Sequence, residues 1–93
     1  MSVAIREYIE ALSDDELRAM LRRDYWRRLI RYKTTEDLMR QKYGVAYDEF
    51  VNRNVVAEKK LSWEVESDSQ DWEMALDGIG TMERKLREID GKA

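Results

Sequence analysis

Along this chain, apolar and charged positions alternate at helical spacing almost from end to end. Ile5, Tyr8, Ile9 and Leu12 share one face of a short amphipathic helix over residues 3–12. Ser13-Asp14-Asp15-Glu16 then reads as a capping box, the Ser13 hydroxyl accepting from the Glu16 amide, so a second helix is predicted from Asp14. Its apolar face is Leu17, Met20, Leu21, Tyr25, Leu29 and Tyr32, widened by Trp26 and Ile30. Thr34-Thr35-Glu36-Asp37 looks like a further start signal. It predicts a break, then a helix over Glu36–Tyr43 carrying Leu38 and Met39, with Gly44 suited to the left-handed position after its last turn. From Tyr47 to Lys60 another helix is expected, with Tyr47, Phe50, Val51, Val55 and Val56 inward.

Leu61-Ser62-Trp63-Glu64-Val65-Glu66 alternates with period two, a strand-like pattern about three repeats long. Ser67-Asp68-Ser69-Gln70 resembles a second capping box, which predicts a last helix from Asp68 to about Ile89. Trp72, Ala75, Ile79, Met82, Leu86 and Ile89 follow at steps of 3, 4, 3, 4 and 3, an a/d seam interrupted by Gly78 and Gly80. The seam can pack inside the chain, or against a copy of it through Trp72, Ile79, Met82, Leu86 and Ile89. The expected fold is therefore an all-α bundle forming one domain over residues 1–93. It has a long C-terminal helix and one short extended segment near 61–66.

Composition sharpens this picture. Charged residues make up 40% of the chain and proline is absent, so most positions are either core-facing or charged. With no cysteine and no histidine, disulfides, thiolate metal sites and imidazole bases are excluded. No cofactor or metal site is expected. Carboxylate pairs at helical spacing, Glu7/Glu10, Asp68/Asp71 and Glu73/Asp77, are the pattern of Mg²⁺-dependent nucleotide hydrolases. They lack the dense clusters of such enzymes, and 20 acidic residues produce pairs of this kind by chance. Gly78-Ile79-Gly80 lies inside a helical pattern and is no phosphate loop. The opening residues reach charge by Arg6 and no apolar run is long enough for a span, so a cytoplasmic protein without membrane contact is expected.

The net charge of −3 conceals two opposed blocks. Residues 18–33 hold Arg18, Arg22, Arg23, Arg27, Arg28, Arg31 and Lys33 against Asp24 alone, whereas Glu64 to Asp77 has no basic residue. The first block, with Tyr25, Trp26 and Tyr32 interleaved, can neutralise phosphates and stack on bases; Arg22, Arg23, Arg27, Arg28 and Arg31 are its candidate nucleic-acid contacts. Against that stand a pI near 5.1 and the acidic start of the helix at Tyr47. The second block, bearing Trp63 and Trp72, has the residue types of a protein interface facing a basic partner.

Three stretches also carry a resemblance: Lys42-Tyr43-Gly44-Val45, Tyr47-Asp48-Glu49-Phe50, and Trp63-Glu64-Val65-Glu66-Ser67-Asp68 continuing to Asp71-Trp72-Glu73. Over about residues 34–75 the chain resembles small helical prokaryotic proteins encoded beside compact toxin genes, the antitoxin-like members of type II toxin–antitoxin pairs. The resemblance implies a non-enzymatic protein that binds and neutralises a ribonuclease-like partner. It also implies that Trp63, Val65, Glu66, Asp68 and Trp72 belong to the partner-binding stretch. The alternative expectation is a nucleic-acid-binding regulator using the Arg-rich helix.

Overall fold

The computed structural model describes residues 2–53 and 62–91. Within them run helices α1 (Val3–Ala11), α2 (Asp14–Tyr43), α3 (Tyr47–Asn52) and α4 (Trp63–Ile89), with no strand among the described residues. The protein is all-α.

α2 begins as its sequence dictates. The Ser13 hydroxyl accepts from the Glu16 amide at 3.1 Å, and Asp14, Asp15 and Glu16 occupy the positive end of the helix dipole. The helix then continues for 30 residues, so the expected break at Thr34–Asp37 does not occur. Its cause is visible in the side chains. Thr34 and Thr35 donate their hydroxyls back to the carbonyls of Ile30 (2.8 Å) and Arg31 (3.2 Å), the bond a threonine makes inside a continuous helix. Gly44 stops α2: at φ 70° it is left-handed, and its amide bonds the Arg40 carbonyl at 2.7 Å.

α4 also departs from expectation, beginning about one turn before Asp68. The Ser62 hydroxyl accepts from the Val65 amide at 3.2 Å, making Ser62 the cap and Trp63–Glu66 the first turn. The expected extended segment at 61–66 is thus helical from Trp63 on, and Leu61 lies outside the described residues. The period-two pattern has a helical explanation: residues two apart on an α-helix point about 200° apart, so Trp63 faces out and Val65 in. The helix expected over Tyr47–Lys60 ends at Asn52. Val51 is exposed rather than inward, and Val55 and Val56 lie outside the described residues.

α2 and α4 form an antiparallel hairpin, as the pairs Arg22–Asp90, Glu36–Trp72 and Lys42–Asp68 establish. The a/d seam packs within the chain, against α2. Leu29, Met82 and Leu86 make one core cluster, flanked by Tyr25, Tyr32, Ile79 and Ile89. Phe50, Val65 and Trp72 make the other, flanked by Met39, Tyr43, Val45, Tyr47 and Leu76. α1 buries no residue, and Val3, Ile5 and Tyr8 stand exposed on it. Along α2, Met20, Leu21, Trp26, Ile30 and Leu38 are likewise exposed, contrary to the apolar face expected of it. A hairpin has one contact line; Tyr25, Leu29, Tyr32, Glu36, Met39 and Tyr43 lie on it, and the exposed apolar residues do not. The radius of gyration is 18.3 Å, where a compact domain of this length has about 12 Å.

Candidate functional site

The end of the hairpin where α2 turns into α3 gathers aromatic and acidic side chains. Gly44 reverses the chain so that α3 lays Tyr47 and Phe50 onto α4 beside Trp72. The rings of Tyr43 and Phe50 meet edge-on at 4.8 Å between centroids, Phe50 and Trp72 at 5.1 Å, and Tyr47 and Trp72 edge-on at 5.3 Å. The Trp72 indole N–H donates to the Glu36 carboxylate, giving the fully buried ring a partner for its polar atom.

An ionic network rims this cluster. Lys42 donates to Glu64 and to Asp68, each at 2.6 Å, and the Tyr43 hydroxyl donates to Asp68 at 2.6 Å. Burial works to raise the Asp68 pKa, but the hydrogen bonds from Lys42 and Tyr43 outweigh it and hold the carboxyl below its ordinary value. Tyr43 is pushed up to about 12, by burial first and by its bond to Asp68 second. Burial and the nearby Glu73 raise Tyr47 as well. Lys42 is raised by its two carboxylate partners.

The five residues of the expected partner-binding stretch divide sharply. Trp72 and Val65 are core, at 0% and 7% exposure, and Asp68 is occupied by Lys42 and Tyr43. Trp63 is 83% exposed, and Glu66 is exposed one helical turn further on. These two are on the surface of α4's first turns. Lys42, Tyr43, Ser62, Glu64 and Val65 line a depression next to them.

The basic block divides too. Arg22 pairs with Asp90, Arg28 with Asp24 at 3.2 Å, and Arg18 with Asp15 at 3.0 Å and the Ile89 carbonyl at 2.9 Å. Arg23, Arg27 and Arg31, spaced by four, form an exposed row on α2 that makes no ion pair among the described residues. Trp26 and Ile30, expected to widen the apolar face of α2, are exposed, as is the side of α1 that carries Ile5 and Tyr8. Their spacing marks them as helix-face residues, and only the hairpin geometry shows that no neighbour covers them.

Among the described residues, no three acidic side chains come together in a way that could hold a metal ion. No helix among them is long and apolar enough to cross a membrane. Compared with family models, curated proteins and solved structures, the chain matches none.

Proposed function

We propose that this protein is a non-enzymatic interaction module that grips a basic partner protein with the first turns of α4. The observation that carries the proposal is Trp63, 83% exposed beside a rigid aromatic core. Tryptophan has a large apolar area to lose from water and is among the commonest interface anchors. Glu66 lies alongside and supplies charge for a cationic partner, with Glu64 nearby although shared with Lys42. Val65, Asp68 and Trp72 hold the platform in shape from beneath. The antitoxin resemblance gives the partner its most specific form, a ribonuclease-like toxin encoded by the adjacent gene. Co-expression of the two tests this. A stable complex is expected, lost on combining Trp63→Ala with Glu66→Lys while the helical content of the chain is kept. Failure of the pair to co-purify overturns the toxin form of the proposal.

One observation favours a second reading, nucleic-acid binding along α2. Arg23, Arg27 and Arg31 form a row about 6 Å apart from residue to residue, as i, i+4 neighbours do, with no acidic partner among the described residues. On this reading, binding to RNA or DNA falls steeply with added salt, and replacing these three arginines abolishes it.

A further inference from the structure

We infer that the outward face of α4 between Trp63 and Asp77 docks a basic amphipathic helix of a partner protein, with Met74 as its second apolar anchor. The inference rests on the proposed role of Trp63 and extends it from the first turns of α4 to about four turns.

α4 carries two seams. The first, from Trp72 to Ile89, packs against α2. The second is Trp63, Ser67, Gln70 and Met74, at steps of 4, 3 and 4 on the other side of the helix. Successive residues of an α-helix turn by about 100°, so positions eleven apart differ by only about 20°. Met74 therefore stands in line with Trp63, about 16 Å further along the axis. Trp63 is 83% exposed and Met74 67%. A methionine so exposed adds little to the hairpin core. Its flexible, polarizable side chain is of the kind that protein-binding surfaces use.

Charge states what this seam meets. Glu66, Glu73 and Asp77 form a row about 70° to one side of it. All three are exposed and make no ion pair among the described residues. Lys42, at the rim, is engaged by Glu64 and Asp68. Arg31 lines the depression beside Met74 together with Asp71, on the opposite flank of the seam. A partner's cations are thus received on the flank of Glu66, Glu73 and Asp77. Past Asp77 the pattern stops: Thr81 is half-buried, and Arg84 pairs with Glu88 at 3.4 Å.

Three carboxylates of like charge beside an apolar seam gain most from a cationic occupant. The heptad steps of the seam match a helix, whose own apolar residues recur with the same period. The occupant is therefore a helix with apolar residues at a and d and Lys or Arg along one flank.

A synthetic peptide of that design, with leucine at a and d and lysine on one flank, tests this when titrated into the full chain and followed by calorimetry. Saturable binding that weakens with added salt is expected. Met74→Ala should weaken it at least about fivefold, and Glu73→Lys combined with Asp77→Lys at least about tenfold, with helicity unchanged. Loss with Trp63→Ala but not with Met74→Ala overturns the inference and leaves the Trp63 reading standing. Absence of binding overturns it, as does equal binding of a scrambled peptide of the same composition, since charge alone would then suffice. A dimer of the chain alone that Met74→Glu disperses assigns the face to a second copy and overturns it too. The complex with the adjacent gene's product judges the Trp63 reading separately.

Discussion

The ring of Tyr32 on α2 packs against Gly78 on α4, in space that the Cβ of any other residue at 78 would enter. A Cβ built there would stand 2.5 Å from the ring. Gly80, two residues on, has open space around its Cβ position. Both glycines weaken an isolated helix by about 1 kcal/mol relative to alanine, yet only one has a packing reason. Gly78→Ala should therefore destabilise the fold by about 1–2 kcal/mol net, as overpacked sites do. Gly80→Ala should leave the hairpin packing intact and stabilise the chain by up to about 1 kcal/mol. Urea unfolding of the two variants side by side checks the difference in sign.

Thr34 and Thr35 test the continuity of α2. Both hydroxyls bond carbonyls of the preceding turn, and neither caps a new helix. Alanine at both positions should raise stability by about 0.5–1 kcal/mol in total, because alanine has the higher helix propensity. Were the chain broken there, loss of the capping hydroxyl would lower stability instead. Chemical denaturation followed by circular dichroism gives the sign.

The Trp72–Glu36 pair joins the two halves of the hairpin in its interior. Trp72→Phe keeps a ring among Tyr43, Tyr47 and Phe50 but leaves a void and removes the donor to Glu36. A loss of about 2–3 kcal/mol is expected, the sum of a partial cavity and an unmade hydrogen bond to a charged group. Thermal unfolding checks it, with Trp63→Phe as the exposed control expected to change stability by less than about 0.5 kcal/mol.

The Lys42–Asp68–Tyr43 network gives stability two pH limits. Asp68 has a lowered folded pKa, so its contribution is present above the ordinary value of 3.8 and is lost as pH falls below it. Tyr43 has a raised folded pKa, so its contribution is present below 10.0 and is lost as pH rises toward about 12. The unfolding midpoint should fall at both ends. Tyr43→Phe should flatten the alkaline limb, and Asp68→Asn the acid one.

Much of the fold is legible in the sequence because it rests on local chemistry. Ser13 through its hydroxyl and Gly44 through its left-handed backbone bound α2, and the Trp72–Ile89 seam marks the buried side of α4. Two of the errors have one origin, a local motif with two uses. Thr34-Thr35 can cap or back-bond. Leu61–Glu66 can alternate as a strand or as the two sides of a helical turn, and Ser62, not Ser67, supplies the cap. The partner-binding stretch suffers the same ambiguity, since a tryptophan reads alike in a core and on a surface. The a/d seam puts Trp72 on the buried side of α4, whereas Trp63 lies before the seam and its exposure follows only from its position relative to α2.

That division is the centre of the functional account, and titration calorimetry against the adjacent gene's product measures it most directly. With Trp63→Ala, the dissociation constant should rise by about tenfold or more while the melting temperature stays within a degree or two of the parent. Unchanged affinity in that variant would contradict the account, because the exposed indole would then touch nothing that matters to the partner.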